Sequence, residues 1–363
     1  MTVPSADGLR AAFDAPEPLT IGLEEEVMLC DPETLDLAPI ATEVLARAAG
    51  DERVKLELPA AQLELVTRPH ARVADAVAEL AAARAALAAA ARGLALPLAA
   101  AVHPTAGEIG VLNAGPRYEA IEAEYGTIAR RQLVGALQVH VAVGGADRTL
   151  WVYNALRALL PELAALAAAA PFHGGRDTGL ASVRPTISTL LPRQGLPPAI
   201  ASWEAFAEEL RWGASAGAVP EPRRWWWELR PHVEYGTLEL RVPDAQPSIE
   251  QAAAVAETAF ALVAWLAARC DAGEPLRPVP AWRIAENRWA ALRHGVEGEL
   301  ADLETGERRP ARARLHALLD AVEPHAQGSL DGARALVERN AAIELREVGL
   351  DGAAAWLAAR FTG

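Results

Sequence analysis

Four segments of the chain alternate between apolar and polar residues, which is the pattern of a β-strand with one buried face. They are residues 19–30, 62–67, 133–143 and 236–242. In each segment one face is aliphatic, whereas the other carries glutamate, glutamine, histidine or arginine. The pattern predicts a single sheet whose aliphatic face is covered by helices.

Between these strands lie alanine-rich segments with the composition of helices. Helices are predicted at about 72–93, 116–131, 150–169, 201–211, 248–270, 282–293, 311–322, 328–339 and 350–361. Because the strands are far apart in the chain, we expect an α+β fold with a curved, mostly antiparallel sheet. We also expect a flexible N-terminal segment over residues 1–17 and a single domain over residues 18–363.

The polar faces of the four strands collect ionisable and amide side chains: Glu24, Glu26, Glu64, Gln138, His140, Glu239 and Arg241. Unpaired carboxylates are strongly penalised in a core, so these acids are either ligands or part of a solvated edge-strand face. The face is acidic and short of lysine, which favours ligands for a hard cation such as Mg²⁺. A cation held there also binds phosphate oxygens, so a nucleoside triphosphate is the expected partner. Glu25 points to the aliphatic face, so we expect it to be paired there or displaced by a bulge.

Four arginines are candidates for contact with phosphate or substrate carboxylates, because a guanidinium group fits both oxyanions. They are Arg184, Arg230, Arg241 and Arg288, and the alternative for each is a surface salt bridge. Three roles are open for His140: a metal ligand, a hydrogen-bond donor to phosphate and a buried core histidine. The three consecutive tryptophans at 225–227 could stack on adenine, although core packing is favoured.

The composition excludes several classes of protein. A net charge of −14 argues against a general nucleic-acid-binding surface. Cys30 and Cys270 provide neither a disulfide framework nor a zinc site, which fits a reducing cytoplasm. The sequence predicts no signal peptide, no membrane helix and neither of the usual phosphate loops, G-x-G-x-x-G and Walker A. The alanine-rich helices could pack within one chain or between two, so a homodimer is open.

Six segments, in chain order, resemble motifs of the type 2 glutamate–cysteine ligases, also called carboxylate–amine ligases. The first is Gly22-Leu-Glu-Glu-Glu-Val-Met, which continues to residue 34, and the second is residues 64–67. The third, Leu137-Gln-Val-His-Val, is similar to a His-Val-His strand of the family. The series is completed by residues 171–184, 227–244 and 286–295, and it covers about residues 20–300.

The resemblance implies a glutamine-synthetase-like fold, in which a funnel of antiparallel strands holds ATP and Mg²⁺, with Mn²⁺ as an alternative ion. It implies phosphorylation of the γ-carboxylate of L-glutamate, or another carboxylate, by ATP. The amine of L-cysteine, or another amine, then attacks the acyl phosphate and gives γ-glutamylcysteine, ADP and phosphate. An enzyme of this kind acts in glutathione biosynthesis in the cytoplasm on small molecules.

The resemblance also assigns roles to individual residues. Metal binding is assigned to four carboxylates on three strands: Glu24, Glu26, Glu64 and Glu239. Glu57 is an added candidate. The catalytic group comprises Arg241, which contacts the γ-phosphate, with Glu64 and Arg230. Substrate binding is assigned to Arg184, Gln138, His140 and Arg288, and nucleotide binding to Arg241 and Asn287.

One position departs from the family pattern. Gln138 stands where the family usually has the first histidine of His-Val-His. Glutamine donates and accepts hydrogen bonds but carries no charge at neutral pH, so the amine acceptor is left open. Two other functions compete with ligation: a guanidino kinase-like phosphotransfer, which would leave a phosphorylated guanidine, and a catalytically idle nucleotide-binding protein.

Overall fold

The computed structural model describes residues 3–48, 50–219 and 224–362. Its β-strands are β1 (Ile21–Cys30), β2 (Val54–Leu56), β3 (Gln62–Val66), β4 (Leu96–Leu98), β5 (Leu137–Val141), β6 (Phe172–His173), β7 (Arg176–Asp177), β8 (Leu229–His232), β9 (Thr237–Leu240), β10 (Glu299–Ala301) and β11 (Arg308–Pro310). The large sheet has the order β2-β3-β1-β5-β9-β8, and β4 pairs with β1. Neighbouring strands in this sheet run antiparallel. The prediction of an α+β fold with a mostly antiparallel sheet is confirmed.

The helices are α1 (Ala6–Asp14), α2 (Ala41–Arg47), α3 (Val73–Ala91), α4 (Pro116–Tyr125), α5 (Thr127–Arg130), α6 (Ala146–Leu156), α7 (Leu160–Leu166), α8 (Arg184–Ser188), α9 (Trp203–Ser215), α10 (Ile249–Asp271), α11 (Ala281–His294), α12 (Ala311–Val322), α13 (Asp331–Glu338), α14 (Ala341–Val348) and α15 (Leu350–Arg360). Each predicted helical segment contains a helix. The sequence analysis did not identify α1, α2, α8 and α14, all of which have nine residues or fewer.

Strand alternation separates the two faces of the sheet as expected. The aliphatic side chains of β1 and β5, such as Leu23, Val27 and Val139, are fully or almost fully buried, and α3 and α10 pack against those strands. Helix α10 is long and apolar enough to cross a membrane, but 78% of its apolar window is buried inside the protein. It is therefore accounted for as the central helix of the core.

The register of the sheet brings the polar side chains into neighbouring positions. Glu26 of β1 lies opposite Glu64 of β3, and Glu24 lies opposite Gln138 of β5. His140 lies opposite Glu239 of β9. Because residues directly opposite each other project from the same face, the acids predicted to share a face do so.

The N-terminal segment differs from the sequence prediction. Residues 1–17 were expected to be flexible, but α1 occupies most of this segment, and the side-chain oxygen of Ser5 caps it by accepting from the Gly8 amide at 3.1 Å. Leu9 and Phe13 are fully buried, and Phe13 stacks on Trp203 at a centroid separation of 4.7 Å. Two apolar residues four positions apart are too weak a periodic signal to predict a helix. One apolar cluster extends from this helix to Phe361, the residue directly after the C-terminal helix. The single-domain organisation stays a prediction.

Glu25 finds its partner on the aliphatic side of the sheet. Its carboxylate accepts hydrogen bonds from Nε of Arg84, at 2.7 Å, and from Nη2. Glu25 is 0% and Arg84 1% exposed. The same guanidinium donates to the carbonyl oxygens of Gln246 at 2.8 Å and of Phe361 at 3.2 Å. The pair therefore joins β1 and α3 to the start of α10 and to the C-terminal end of the fold.

We predict that Arg84→Met lowers the free energy of unfolding by about 3–5 kcal/mol, because it leaves the Glu25 carboxylate buried without a counter-charge. Urea denaturation measures the change. The matched control is Arg308→Met, which removes an exposed ion pair with Glu299 and should cost at most about 1 kcal/mol. Equal, small effects of the two substitutions would show that the buried pair is not required.

Candidate active site

Three donor groups on adjacent strands converge at one end of the polar face. One donor atom from each of Glu24, His140 and Glu239 lies within 4.8 Å of the other two. Nε2 of His140 is 3.3 Å from a carboxylate oxygen of Glu24 and 4.0 Å from one of Glu239. Nδ1 of His140 pairs with the hydroxyl of Thr237 at 3.0 Å, which orients Nε2 toward the two acids. Nε2 is buried and has no hydrogen-bond partner among the described residues.

Neighbouring charges shift the pKa values of all three groups of the triad toward their charged forms. Burial raises the pKa of Glu24, but His140 outweighs burial and the pKa is lowered. Burial would lower the pKa of His140, but Glu24 and Glu239 outweigh it and the pKa is raised. The pKa of Glu239 falls well below its ordinary value, since Arg230 and Arg241 outweigh the effect of burial.

A second group of acids lies beside the triad and lacks comparable positive charge. Burial and the nearby Glu57 raise the pKa of Glu26 to about 7. Burial, then Glu24, Glu57 and Glu26, raise the pKa of Glu64 well above its ordinary value. Burial also raises the pKa of Glu57. These carboxylates favour the protonated state unless a cation compensates them.

Gln138 links the second group to the arginines. Its amide nitrogen donates to Glu26 at 2.9 Å, and its amide oxygen accepts from Arg241. The same nitrogen of Arg241 also contacts Glu239, and Arg230 pairs with both oxygens of Glu239. A continuous hydrogen-bonded chain therefore runs from Glu26 to Arg230.

The donor set fits a hard divalent cation. Mg²⁺ binds oxygen ligands at about 2.1 Å, so that two ligands of one ion lie about 3–4 Å apart. The donor atoms of the triad need only small movements to meet this requirement, and Nε2 of His140 would be a third ligand in the neutral form of the ring, after its proton is released. Carboxylates suit Mg²⁺ and Mn²⁺, whereas imidazole is a better ligand for later transition metals. Glu24, His140 and Glu239 are thus the strongest metal-binding group among the described residues.

Two cavities open onto this polar face. The larger, of about 640 Å³, is lined by Gly22, Glu24, His140, Thr67 and Tyr235, among others. The smaller, of about 140 Å³, is lined by acids, arginines and aromatic rings, including Glu26, Glu57, Arg117, Arg184, Arg241, Tyr118 and Trp226. Because Glu24 and Glu26 are alternate residues of β1, the acidic groups lie where the two cavities approach each other.

Most of the predicted site residues are brought together, although not all in their predicted roles. Glu24, Glu26, Glu64, Gln138, His140, Arg230, Glu239 and Arg241 form one connected region. His140 was assigned to the substrate, whereas the structure places it with Glu24 and Glu239 as a metal-ligand candidate. Glu26 and Glu64 remain candidates but lie outside this tightest group.

The other three predicted residues are engaged by protein partners. Arg184 lines the smaller cavity, but its Nε donates to Asp244 at 2.7 Å. Arg288 forms a two-pronged pair with Glu228, at 2.9 and 2.6 Å. The carboxamide of Asn287 pairs with both backbone polar groups of Ala301, at 2.7 and 2.8 Å. The side chain of Asn287 therefore anchors β10, and the nucleotide-binding role predicted for it stays a prediction.

The aromatic residues also separate into different roles. Trp225 is buried and packs edge-on against Phe206, as the sequence favoured, whereas Trp226 lines the smaller cavity. Neither lines the larger cavity. The sequence analysis did not identify Arg117, Tyr118 or Tyr235, because their segments lack the strand alternation that revealed the acidic face.

Comparisons with known proteins find relatives that match most of the chain. A model of glutamate–cysteine ligase family 2 matches residues 20–356. A Rubrobacter xylanophilus protein provisionally named glutamate–cysteine ligase 2-3 is 39% identical over 311 residues, which cover 84% of each chain. A Frankia alni protein provisionally named glutamate–cysteine ligase 2-1 is 32% identical over 338 residues, covering 91% of this chain and 88% of that protein.

Solved structures share the fold. Glutamate–cysteine ligase from Francisella tularensis, in complex with AMP, aligns with a TM-score of 0.73 at 12% identity and covers 96% of this chain and 90% of that one. A bifunctional glutathione synthetase from Pasteurella multocida aligns with a TM-score of 0.64 at 15% identity, covering 98% and 53%. The predicted architecture is therefore confirmed.

We predict that Glu24→Gln weakens Mn²⁺ binding at least about tenfold, because it replaces a charged ligand of the triad by a neutral amide. Electron paramagnetic resonance of free Mn²⁺ during titration measures the affinity. Glu299→Gln, on the exposed hairpin of β10 and β11, is the matched control and should bind as the wild type does. Unchanged affinity in Glu24→Gln would exclude the triad as the metal site.

Proposed function

The chain belongs to glutamate–cysteine ligase family 2, and from this premise we propose that it is an ATP-dependent carboxylate–amine ligase. One observation carries the proposal: two cavities of different size approach each other across a face of partly buried carboxylates. Such a face can hold a cation and a polyphosphate, and a second substrate can reach the terminal phosphate from the other side.

The cavity volumes support this division. A volume of about 640 Å³ lies within the usual range of about 300–1,000 Å³ for small-molecule sites, which suits a nucleotide. A volume of about 140 Å³ provides about ten water-sized positions at roughly 10–15 Å³ each. That space suits one small amino acid. We therefore assign the nucleotide to the larger cavity and the carboxylate substrate to the smaller.

The proposed reaction proceeds in two steps. An oxygen of the donor carboxylate attacks the γ-phosphorus of ATP, which forms an acyl phosphate and releases ADP. The amine then attacks the acyl carbon, the carbon–nitrogen bond forms, phosphate leaves with the former carboxylate oxygen, and the nitrogen loses a proton. Mg²⁺ held by the triad would screen the negative charge of the triphosphate.

The residues of the chain have distinct parts in this scheme. Arg241 lines the smaller cavity and is placed to stabilise the transferring phosphoryl group. Arg230 holds the Glu239 carboxylate and is a positioning residue rather than a substrate contact. Arg117 lies over the ring of Tyr118 at 5.7 Å and is a further candidate for binding a substrate carboxylate.

L-Glutamate and L-cysteine are the proposed substrates, with γ-glutamylcysteine as the product and glutathione biosynthesis as the pathway. A screen of ADP release tests this with glutamate and other carboxylates against a panel of amines. ADP release should require both an acid and an amine, and the product mass should equal their sum less one water. ADP release with a stable phosphorylated guanidine would instead identify a kinase. An idle protein would give no turnover with any pair.

We predict that Gln138→His changes the KM for the carboxylate or amine several-fold while the Kd for Mg·ATP changes less than about twofold. The reason is that Gln138 contacts Glu26 and Arg241, both of which line the smaller cavity. Steady-state kinetics and calorimetric titration measure the two quantities. Gln251→His, on α10, serves as the control. Equal losses for substrate and nucleotide would place residue 138 at the nucleotide instead.

A further inference from the structure

The hairpin between β8 and β9 presents an aromatic ring to the larger cavity. Tyr235 lines that cavity and is 49% exposed. One face of its ring stacks on His232, with centroids 4.3 Å apart and an angle of 7° between the planes. Because that face is covered, the exposed part of the ring is the opposite face and its edges. Among the described residues that line the cavity, Tyr235 is the one tyrosine, phenylalanine or tryptophan.

The ring is held in place by the packing of the hairpin. The amide of Gly236 donates to the carbonyl oxygen of His232 at 2.8 Å and closes the turn. Gly236 has a φ of +65°, and a Cβ atom there would lie 2.1 Å from the carbonyl oxygen of Ala12 and 2.6 Å from Pro16. The turn is therefore pressed against the end of α1 and the segment that follows it. A ring fixed in this way loses little conformational freedom on binding a ligand.

The same ring belongs to an aromatic cluster that reaches the metal-binding triad. The ring of His140 meets His232 edge-on at 5.4 Å and Tyr235 edge-on at 5.8 Å. Nε2 of His140 faces Glu24 and Glu239. A ligand with a flat apolar group on Tyr235 thus has its charged part within reach of the triad.

The cavity floor next to the triad leaves room for such a group. Gly22 lies on the same face of β1 as Glu24, directly opposite His140. A Cβ atom at Gly22 would lie 3.9 Å from the Cβ of His140, so any longer side chain there would extend over the floor. Thr20, Thr67 and Pro69 complete the wall with small side chains.

We propose that Tyr235 is the stacking platform for the purine ring of the nucleotide, an inference that rests on the proposed function. Aromatic rings stack on nucleobases because both present large flat π-faces, and the contact does not require the phenol hydroxyl. Tyr235 takes the role for which the tryptophans at 225–227 were candidates, since Trp225 lies in the core and Trp226 lines the smaller cavity.

Calorimetric titration with Mg·ATP and with Mg·tripolyphosphate tests the proposal, because tripolyphosphate has the phosphates without the base. Tyr235→Ala should weaken binding of Mg·ATP about 5- to 150-fold, the range for loss of one base–aromatic stack, and leave tripolyphosphate unchanged. Tyr235→Phe should bind Mg·ATP within about twofold of the wild type. Trp282→Ala removes a different exposed aromatic ring, 65% exposed on α11, and serves as the control. Circular dichroism verifies that each variant is folded.

The outcomes separate the inference from the function on which it rests. If the wild type binds Mg·ATP and Tyr235→Ala binds it equally well, the platform is refuted and the proposed ligase function stands. If Tyr235→Ala weakens ATP and tripolyphosphate equally, Tyr235 acts through the triad and the platform is also refuted. If the wild type binds neither ligand, both proposals fail.

Discussion

Uncompensated negative charge on one face of the sheet is the constraint on which the rest of the site depends. Glu24 and Glu239 have cationic neighbours and stay ionised. Glu26, Glu57 and Glu64 have too few cationic neighbours to offset their burial. Burial together with neighbouring acids therefore raises their pKa values. A protein selected for stability alone would replace such a group by apolar residues. A cation bound there, as in the proposed function, would lower the repulsion and account for this group of acids.

On the opposite face of the same strand, the buried negative charge is neutralised by another residue of the chain. Glu25 is as deeply buried as any acid of the site, but the charge of Arg84 neutralises it. The guanidinium of Arg84 also donates hydrogen bonds to backbone carbonyl oxygens. The three consecutive glutamates therefore have two kinds of environment. The middle one is neutralised by a protein partner, whereas Glu24 and Glu26 project into the region between the cavities. The pair behind the sheet also fixes the strand from which both ligand candidates project.

The sequence revealed the faces of the strands but not every contact across them. Alternation predicts which side chains share a face, because it depends only on the two-residue period of a strand. It does not predict the lateral register that brings His140 between Glu24 and Glu239. Register depends on turn geometry and on packing of the whole sheet. His140 therefore remained ambiguous until the strands were aligned.

Partners distant in the chain account for other contacts that the sequence did not reveal. Arg184 and Asn287 lie in segments that resemble family motifs, but their contacts with Asp244 and Ala301 cross 60 and 14 residues of sequence. A motif identifies such a residue as important without showing whether it holds a ligand or the fold. Tyr235 illustrates the reverse case, since it lies in a turn with no periodic pattern. Its exposure acquires meaning only when the hairpin is seen beside the larger cavity.

The two cavities make the group of acids accessible from two sides. Glu24 and His140 line the larger cavity, and Glu26 and Arg241 line the smaller one, so a phosphoryl group bound at the acids is accessible from both sides. The smaller cavity has a modest volume and carries both arginines and acids, which suits a zwitterionic substrate better than a second nucleotide. In the proposed reaction, phosphoryl transfer from the larger to the smaller cavity would need no movement of the sheet. For this step only the substrate carboxylate would have to approach, and the small volume would limit water there and protect an acyl phosphate until the amine arrives.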